Sequence, residues 1–92
     1  MRQKTVVIKN NAGIHCRPSG VIVAIASKYP GMELRAESDS GNADLHSILD
    51  LLSLGLKKGD SVTVKVNGNE ADEGEVCEKL AELFETEFDF KR

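Results

Sequence analysis

Ser61-Val62-Thr63-Val64-Lys65-Val66 alternates polar and apolar residues without a break. Successive side chains of a strand point to opposite faces, so this stretch reads as a strand with one buried and one wet face. Met32, Leu34 and Ala36 alternate with Glu33, Arg35 and Glu37 in the same way. Such patterning belongs to a mainly antiparallel sheet covered on one side only. Thr5-Val6-Val7-Ile8-Lys9 is a further strand by its β-branched content. Asn42 to Leu45, weakly patterned, comes after the chain reversal Ser38-Asp39-Ser40-Gly41 and is expected at a sheet edge.

Between the strands the apolar period changes. Val21, Ile22, Ile25, Ala26 and Tyr29 fall on one helical face, which predicts a helix from Val21 to Tyr29 stopped by Pro30-Gly31. Pro18 lies in its first turn, where a missing N–H costs nothing. Ser47 precedes Ile48-Leu49-Asp50-Leu51-Leu52-Ser53-Leu54, two turns of helix closed by Gly55 as the C′ residue. Spacing allows two arrangements: Ile48, Leu51 and Leu54 facing the core with Leu49 and Leu52 toward solvent, or all five in the core. Asn69 is an N-cap candidate for a last helix whose apolar stripe is Val76, Leu80, Leu83 and Phe84. Glu70, Asp72 and Glu73 suit its dipole, whereas Gly74 has no local reason to be there. The tail from Glu85 to Arg92 carries Phe88 and Phe90 among charges. The order strand–helix–strand–strand–helix–strand–helix predicts one α+β domain over residues 1–92, a two-layer open-faced sandwich.

The 92 residues suffice for one hydrophobic core, and 40% hydrophobic with 29% charged residues is ordinary for a folded chain. No apolar run approaches the roughly 20 residues that span a bilayer, and Met1-Arg2-Gln3-Lys4 leads straight into a strand, so neither membrane insertion nor a signal peptide is expected. A net charge of −3 argues against a nucleic-acid partner. Cys16 and Cys77 are too few for a disulfide framework and fit a reducing cytosol, hence a cytoplasmic protein.

Chemistry concentrates in Gly13-Ile14-His15-Cys16-Arg17-Pro18, at the junction of the first strand with the first helix. Free N–H groups and the positive end of the helix dipole favour an anion there. The Arg17 guanidinium can fork onto phosphate oxygens, and an imidazole is a nucleophile largely deprotonated near neutral pH. Together they read as a histidine that accepts and holds a phosphoryl group. Neither a nucleotide-cradling GxxxxGK[ST] loop nor a carboxylate cluster for Mg²⁺ is present, so the phosphate comes from one protein and goes to another. The chain reads as a carrier without a cofactor, not a stand-alone catalyst.

The run from Gly13 to Pro18 resembles the active-site signature of the HPr family, the histidine-containing phosphocarriers of the phosphoenolpyruvate-dependent phosphotransferase system. Ser47 to Gly55, with Lys57-Lys58-Gly59-Asp60 after it, resembles that family's regulatory-serine segment, at the right separation. The resemblance implies the family fold, βαββαβα, with a four-stranded mainly antiparallel sheet covered on one face by three helices, and a monomer. It implies that His15 takes phosphate on Nδ1 from enzyme I and passes it to the IIA domain of sugar permeases, with Arg17 as phosphate ligand. It implies phosphorylation of Ser47 by HPr kinase/phosphorylase and, in some bacteria, recruitment of a catabolite-control transcription regulator. It places Cys16, Gly20, Ile48, Leu49 and Leu52 with Arg17 on one docking face for successive partners. Cys16 stands where the family usually has a small residue such as alanine, and His46 where many members carry lysine.

Two rival classes remain beside the carrier. A regulatory module of the same kind could run its phosphorelay or partner binding without feeding sugar transport. A thiol enzyme built on Cys16 lacks both a CxxC partner and an identifiable residue to orient His15. Spacings among His15, Cys16, His46 and Cys77 match no closed zinc pattern, so no metal is expected.

Overall fold

A computed structural model describes residues 2–9, 16–68 and 70–85, and for 16–18, 70 and 71 the backbone alone. The elements run in the order β1 (Arg2–Val7), α1 (Cys16–Ala26), β2 (Glu33–Ser38), β3 (Gly41–Asp44), α2 (Ile48–Ser53), β4 (Ser61–Asn67) and α3 (Glu70–Glu85). The sheet is ordered β1-β4-β2-β3, and every paired strand is antiparallel. β4, the last strand in sequence, is thus inserted between the first two. Its valines make the register legible: Val66 faces Leu34 on one side and Arg2 on the other, and Val62 faces Val6. As expected, β3 is an edge strand.

Alternation sorts the sheet into two faces. Val62, Val64, Val66, Leu34, Ala36 and Ala43 are buried, while their neighbours Thr63, Lys65, Glu33 and Asn42 are half-buried or exposed. The helices supply the other half of the core. Ile22 and Ala26 come from α1, Leu51 from α2, and Val76, Cys77, Leu80, Ala81 and Phe84 from α3. Lys4 reaches across to Glu78 at 2.8 Å, which places α3 over the buried face of β1.

Expected boundaries move at both ends of β1, which stops at Val7 rather than Lys9, and at both ends of α1. β1 begins three residues before Thr5, because β4 offers partners for Arg2, Gln3 and Lys4 whatever their own propensity. α1 begins at Cys16, ahead of the apolar stripe at Val21, and ends at Ala26, before Tyr29. Beyond Ala26 the N–H groups of Lys28 and Tyr29 turn to carbonyls three residues back, a tightening forced by Pro30, which disfavours helix at Tyr29. α2 carries the expected caps: Ser47 precedes it, and Gly55 comes after Leu54 with φ of +59°, a conformation that suits glycine. The turn at Asn10–Gly13, the cap at Asn69 and the phenylalanines of the tail lie outside the described residues.

Two glycines near α3 sit in opposite circumstances. Gly68 donates its N–H to Glu73 Oε2 at 2.8 Å, and a Cβ there would stand 2.8 Å from Met32 Cγ and 3.2 Å from its Cα. At Gly74 a Cβ would meet the Arg2 guanidinium at 3.7–3.8 Å, an ordinary contact. Gly68→Ala should therefore destabilise the fold by about 1–3 kcal/mol through overpacking. Gly74→Ala should stabilise it by about 0.4–1 kcal/mol, mainly by restricting the unfolded chain. Urea unfolding of both variants tests these signs. Glu73 is buried at 3% exposure, and the Gly68 amide holds its carboxyl below the usual glutamate value. A depressed native pKa contributes stability that is whole above the ordinary value and disappears as pH falls through the lower one. Glu73→Gln should be less stable than the parent at about pH 7, with the gap closing in acid.

Candidate functional site

His15 lies outside the described residues, and its neighbour Cys16 opens α1. The backbone of Cys16, Arg17 and Pro18 forms the first turn of that helix. The first N–H groups of an α-helix have no partner within it and carry the positive end of its dipole. Ser19, next in the chain, is fully buried, and its Oγ has no hydrogen-bond partner among the described residues. Gly20 is half-buried, with open space where a Cβ would stand.

α1 packs against α2, whose four apolar residues and the capping Leu54 differ in exposure. Leu51 and Leu54 are buried, Leu52 is half-buried, and Ile48 and Leu49 are 38% and 76% exposed. The expectation that Ile48 joins Leu51 and Leu54 in the core is therefore corrected. At about 100° per residue, Leu51 and Leu54 lie about 60° apart and Ile48 about 60° further round, at the margin of the buried face. Ile48, Leu52 and Leu49 fall instead within about 100° on the far side, as one apolar strip. Gly20 and this strip thus belong to neighbouring, touching helices.

Ser47 caps α2 in extended conformation, φ −122° and ψ 115°, and its Oγ accepts the Asp50 N–H at 3.3 Å. Asp44 braces the approach: its carbonyl accepts the Ser47 N–H at 3.0 Å and its Oδ1 the His46 N–H at 2.9 Å. The Asp44 N–H in turn reaches Asp50 Oδ2 at 3.4 Å. Asp44 and Asp50, three residues to either side, are thus each bonded to Ser47 through their backbones. His46 turns its Nε2 onto the Met32 carbonyl at 2.9 Å, tying the loop before α2 to the start of β2. That tether was not legible in the sequence, where nothing links His46 to Met32.

Cys77 is settled by burial. It is 3% exposed, its Sγ points at the Val64 carbonyl at 3.9 Å, and burial pushes its thiol pKa up, so it is core and not a nucleophile. Among the described residues no three His, Cys, Asp or Glu side chains gather as a metal-binding group, and no helix is long and apolar enough to cross a membrane.

Known proteins match both the sequence and this arrangement. A family profile, PTS-HPr, described as the PTS HPr component phosphorylation site, matches residues 2–86. Phosphocarrier protein HPr of Mycoplasma pneumoniae is 39% identical over 74 residues, 79% of this chain and 83% of that one. The crystal structure of HPr-C-His from Thermoanaerobacter tengcongensis superposes with a TM-score of 0.85 at 33% identity, covering 100% of each chain. The phosphocarrier protein HPr of Bacillus anthracis gives 0.82 at 26% identity, covering 91% of this chain and 96% of that one. The profile and the identity to a curated relative, carried on a shared βαββαβα fold, establish that the chain belongs to the HPr family, the phosphocarrier component of the phosphotransferase system.

Proposed function

We propose that His15 is the phosphoryl carrier, charged by phosphorylated enzyme I and discharged to the IIA domain of a sugar permease, in the cytoplasm and as a monomer. The observation that carries this is the start of α1 at the residue after His15, which sets free backbone N–H groups beside it in the chain. The imidazole Nδ1 forms a bond to phosphorus while the donor's own bond to phosphorus breaks; the reverse pair of events discharges the carrier. Transition-state charge sits on the three phosphoryl oxygens, so positioned N–H groups and the Arg17 guanidinium lower the barrier. The site must hold the group without trapping it, which suits a few hydrogen bonds better than an enclosed cavity.

The same reading gives the exposed strip a use. Ile48, Leu49 and Leu52, with Gly20 and Cys16 on α1, form the surface on which successive partners dock, since an uncovered apolar patch on a small domain marks an interface. Ser47 adjoins that strip. A phosphate on its Oγ sets a dianion next to Ile48 and between Asp44 and Asp50, spoiling an apolar interface and adding like-charge repulsion. Phosphorylation by HPr kinase/phosphorylase would thus slow charging of His15, and the modified face is what a catabolite-control regulator would read.

Incubation with enzyme I and labelled phosphoenolpyruvate should give an acid-labile, alkali-stable label, lost in His15→Ala and kept in Cys16→Ala. A label that survives His15→Ala rejects the proposal. Arg17→Lys should slow transfer about ten- to hundredfold, because the charge remains and the fork is gone. Ser47→Asp should raise the KM for enzyme I with little change in stability, whereas Ser47→Ala should cost about 0.5–2 kcal/mol of stability and leave that KM alone. An unchanged KM in Ser47→Asp would remove the regulatory role.

A further inference from the structure

Met32, the last residue before β2, is a firm point in the fold. It is buried, its N–H donates to the Tyr29 carbonyl at 3.1 Å, and Gly68 packs so close to its side chain that no Cβ fits between. Its carbonyl pairs with His46 Nε2 at 2.9 Å. A carbonyl oxygen only accepts, so Nε2 carries the proton, in the neutral ring as in the imidazolium. His46 is also the third residue of a turn, Asp44-Leu45-His46-Ser47. The Ser47 N–H closes that turn on the Asp44 carbonyl at 3.0 Å, and the His46 N–H doubles it on Asp44 Oδ1 at 2.9 Å. One peptide bond separates the anchored His46 from Ser47. The serine's own bond, from the Asp50 N–H to Oγ at 3.3 Å, is longer than such bonds usually are, so the turn does more than the cap to aim the hydroxyl.

The apolar strip on α2 is held by other contacts, because buried Leu51 and Leu54 pin that helix. Where the hydroxyl stands relative to the strip is therefore decided by the turn. We propose that His46 is a positioning residue for the phosphorylation of Ser47: its tie to Met32 fixes the turn, and with it the line along which the hydroxyl meets a kinase docked on the strip. In that step Ser47 Oγ bonds to the γ-phosphorus of ATP, the bond to ADP breaks, and the hydroxyl proton passes to a base of the kinase. In-line displacement tolerates little error in the direction of attack, so a loosened turn costs rate and not docking. His46 acts through the backbone of Ser47. The inference rests on the regulatory reading of Ser47 above.

His46→Leu keeps much of the bulk and removes the donor, whereas His46→Gln restores a side-chain N–H for the carbonyl. Val76→Ala, in the core of α3, is the control for lost stability alone. With HPr kinase/phosphorylase and ATP, His46→Leu should lower kcat for Ser47 about tenfold at unchanged KM. His46→Gln should recover most of that rate, and Val76→Ala should keep the parent's. Charging of His15 by enzyme I should be unchanged in His46→Leu, since the docking strip is intact. A leucine variant with the parent's kcat, or a glutamine variant as slow as the leucine one, overturns the proposal. So does a leucine variant that also loses KM and His15 charging, because the docking face itself is then disturbed. If the parent chain takes no phosphate on serine, the regulatory reading falls and the proposal falls with it.

Discussion

β4 is hydrogen-bonded along both edges, to β1 and to β2, and the rest of the molecule hangs on that double pairing. Because the strand is last in sequence and central in space, the sheet closes only once most of the chain is present. Its three valines, all fully buried, face Val6 of β1 and Leu34 and Ala36 of β2 and join the core beneath the helices. Its polar residues, Ser61, Thr63 and Lys65, face the other way, where Lys65 pairs with Glu37 at 2.9 Å and Thr63 with Thr5 at 2.8 Å. A shift of one residue would exchange those two faces, so burial fixes the register.

From this centre the placement of α1 is determined. β1 and β2 both run antiparallel to β4 and hence parallel to each other, so the segment between them must cross over the sheet. α1 is that crossover, and its first residue comes directly after His15. The fold thus delivers a helix N-terminus to the histidine as a by-product of connectivity. It is the kind of place where phosphate is accepted by backbone groups that cost nothing further to arrange.

α2 shows how few residues can serve two purposes. A helix this short, rich in leucine, has too little inward arc to bury all of them. Leu51 and Leu54 anchor it; Ile48 and Leu49 stay in solvent beside the capping Ser47. Burial accounts for the first pair and not for the second, which is left for the docking role proposed above. Three bonds hold the cap in place: the Asp44 N–H to Asp50 Oδ2, the His46 N–H to Asp44 Oδ1, and His46 Nε2 with the Met32 carbonyl just ahead of β2.

Much of this was legible in the chain as written. Two-residue alternation at Val62–Val66 and Leu34–Ala36 and the Ser47 and Gly55 caps depend on patterns a few residues long, which a sequence displays directly. What only the tertiary structure decided involves residues far apart: Arg2 drawn into β1 by β4, Ile48 turned outward, His46 bound to Met32, Glu73 buried under Gly68, and Gly68 pressed against Met32. Each is set by register and packing between distant segments, and no local preference of a side chain encodes which distant partner it will meet.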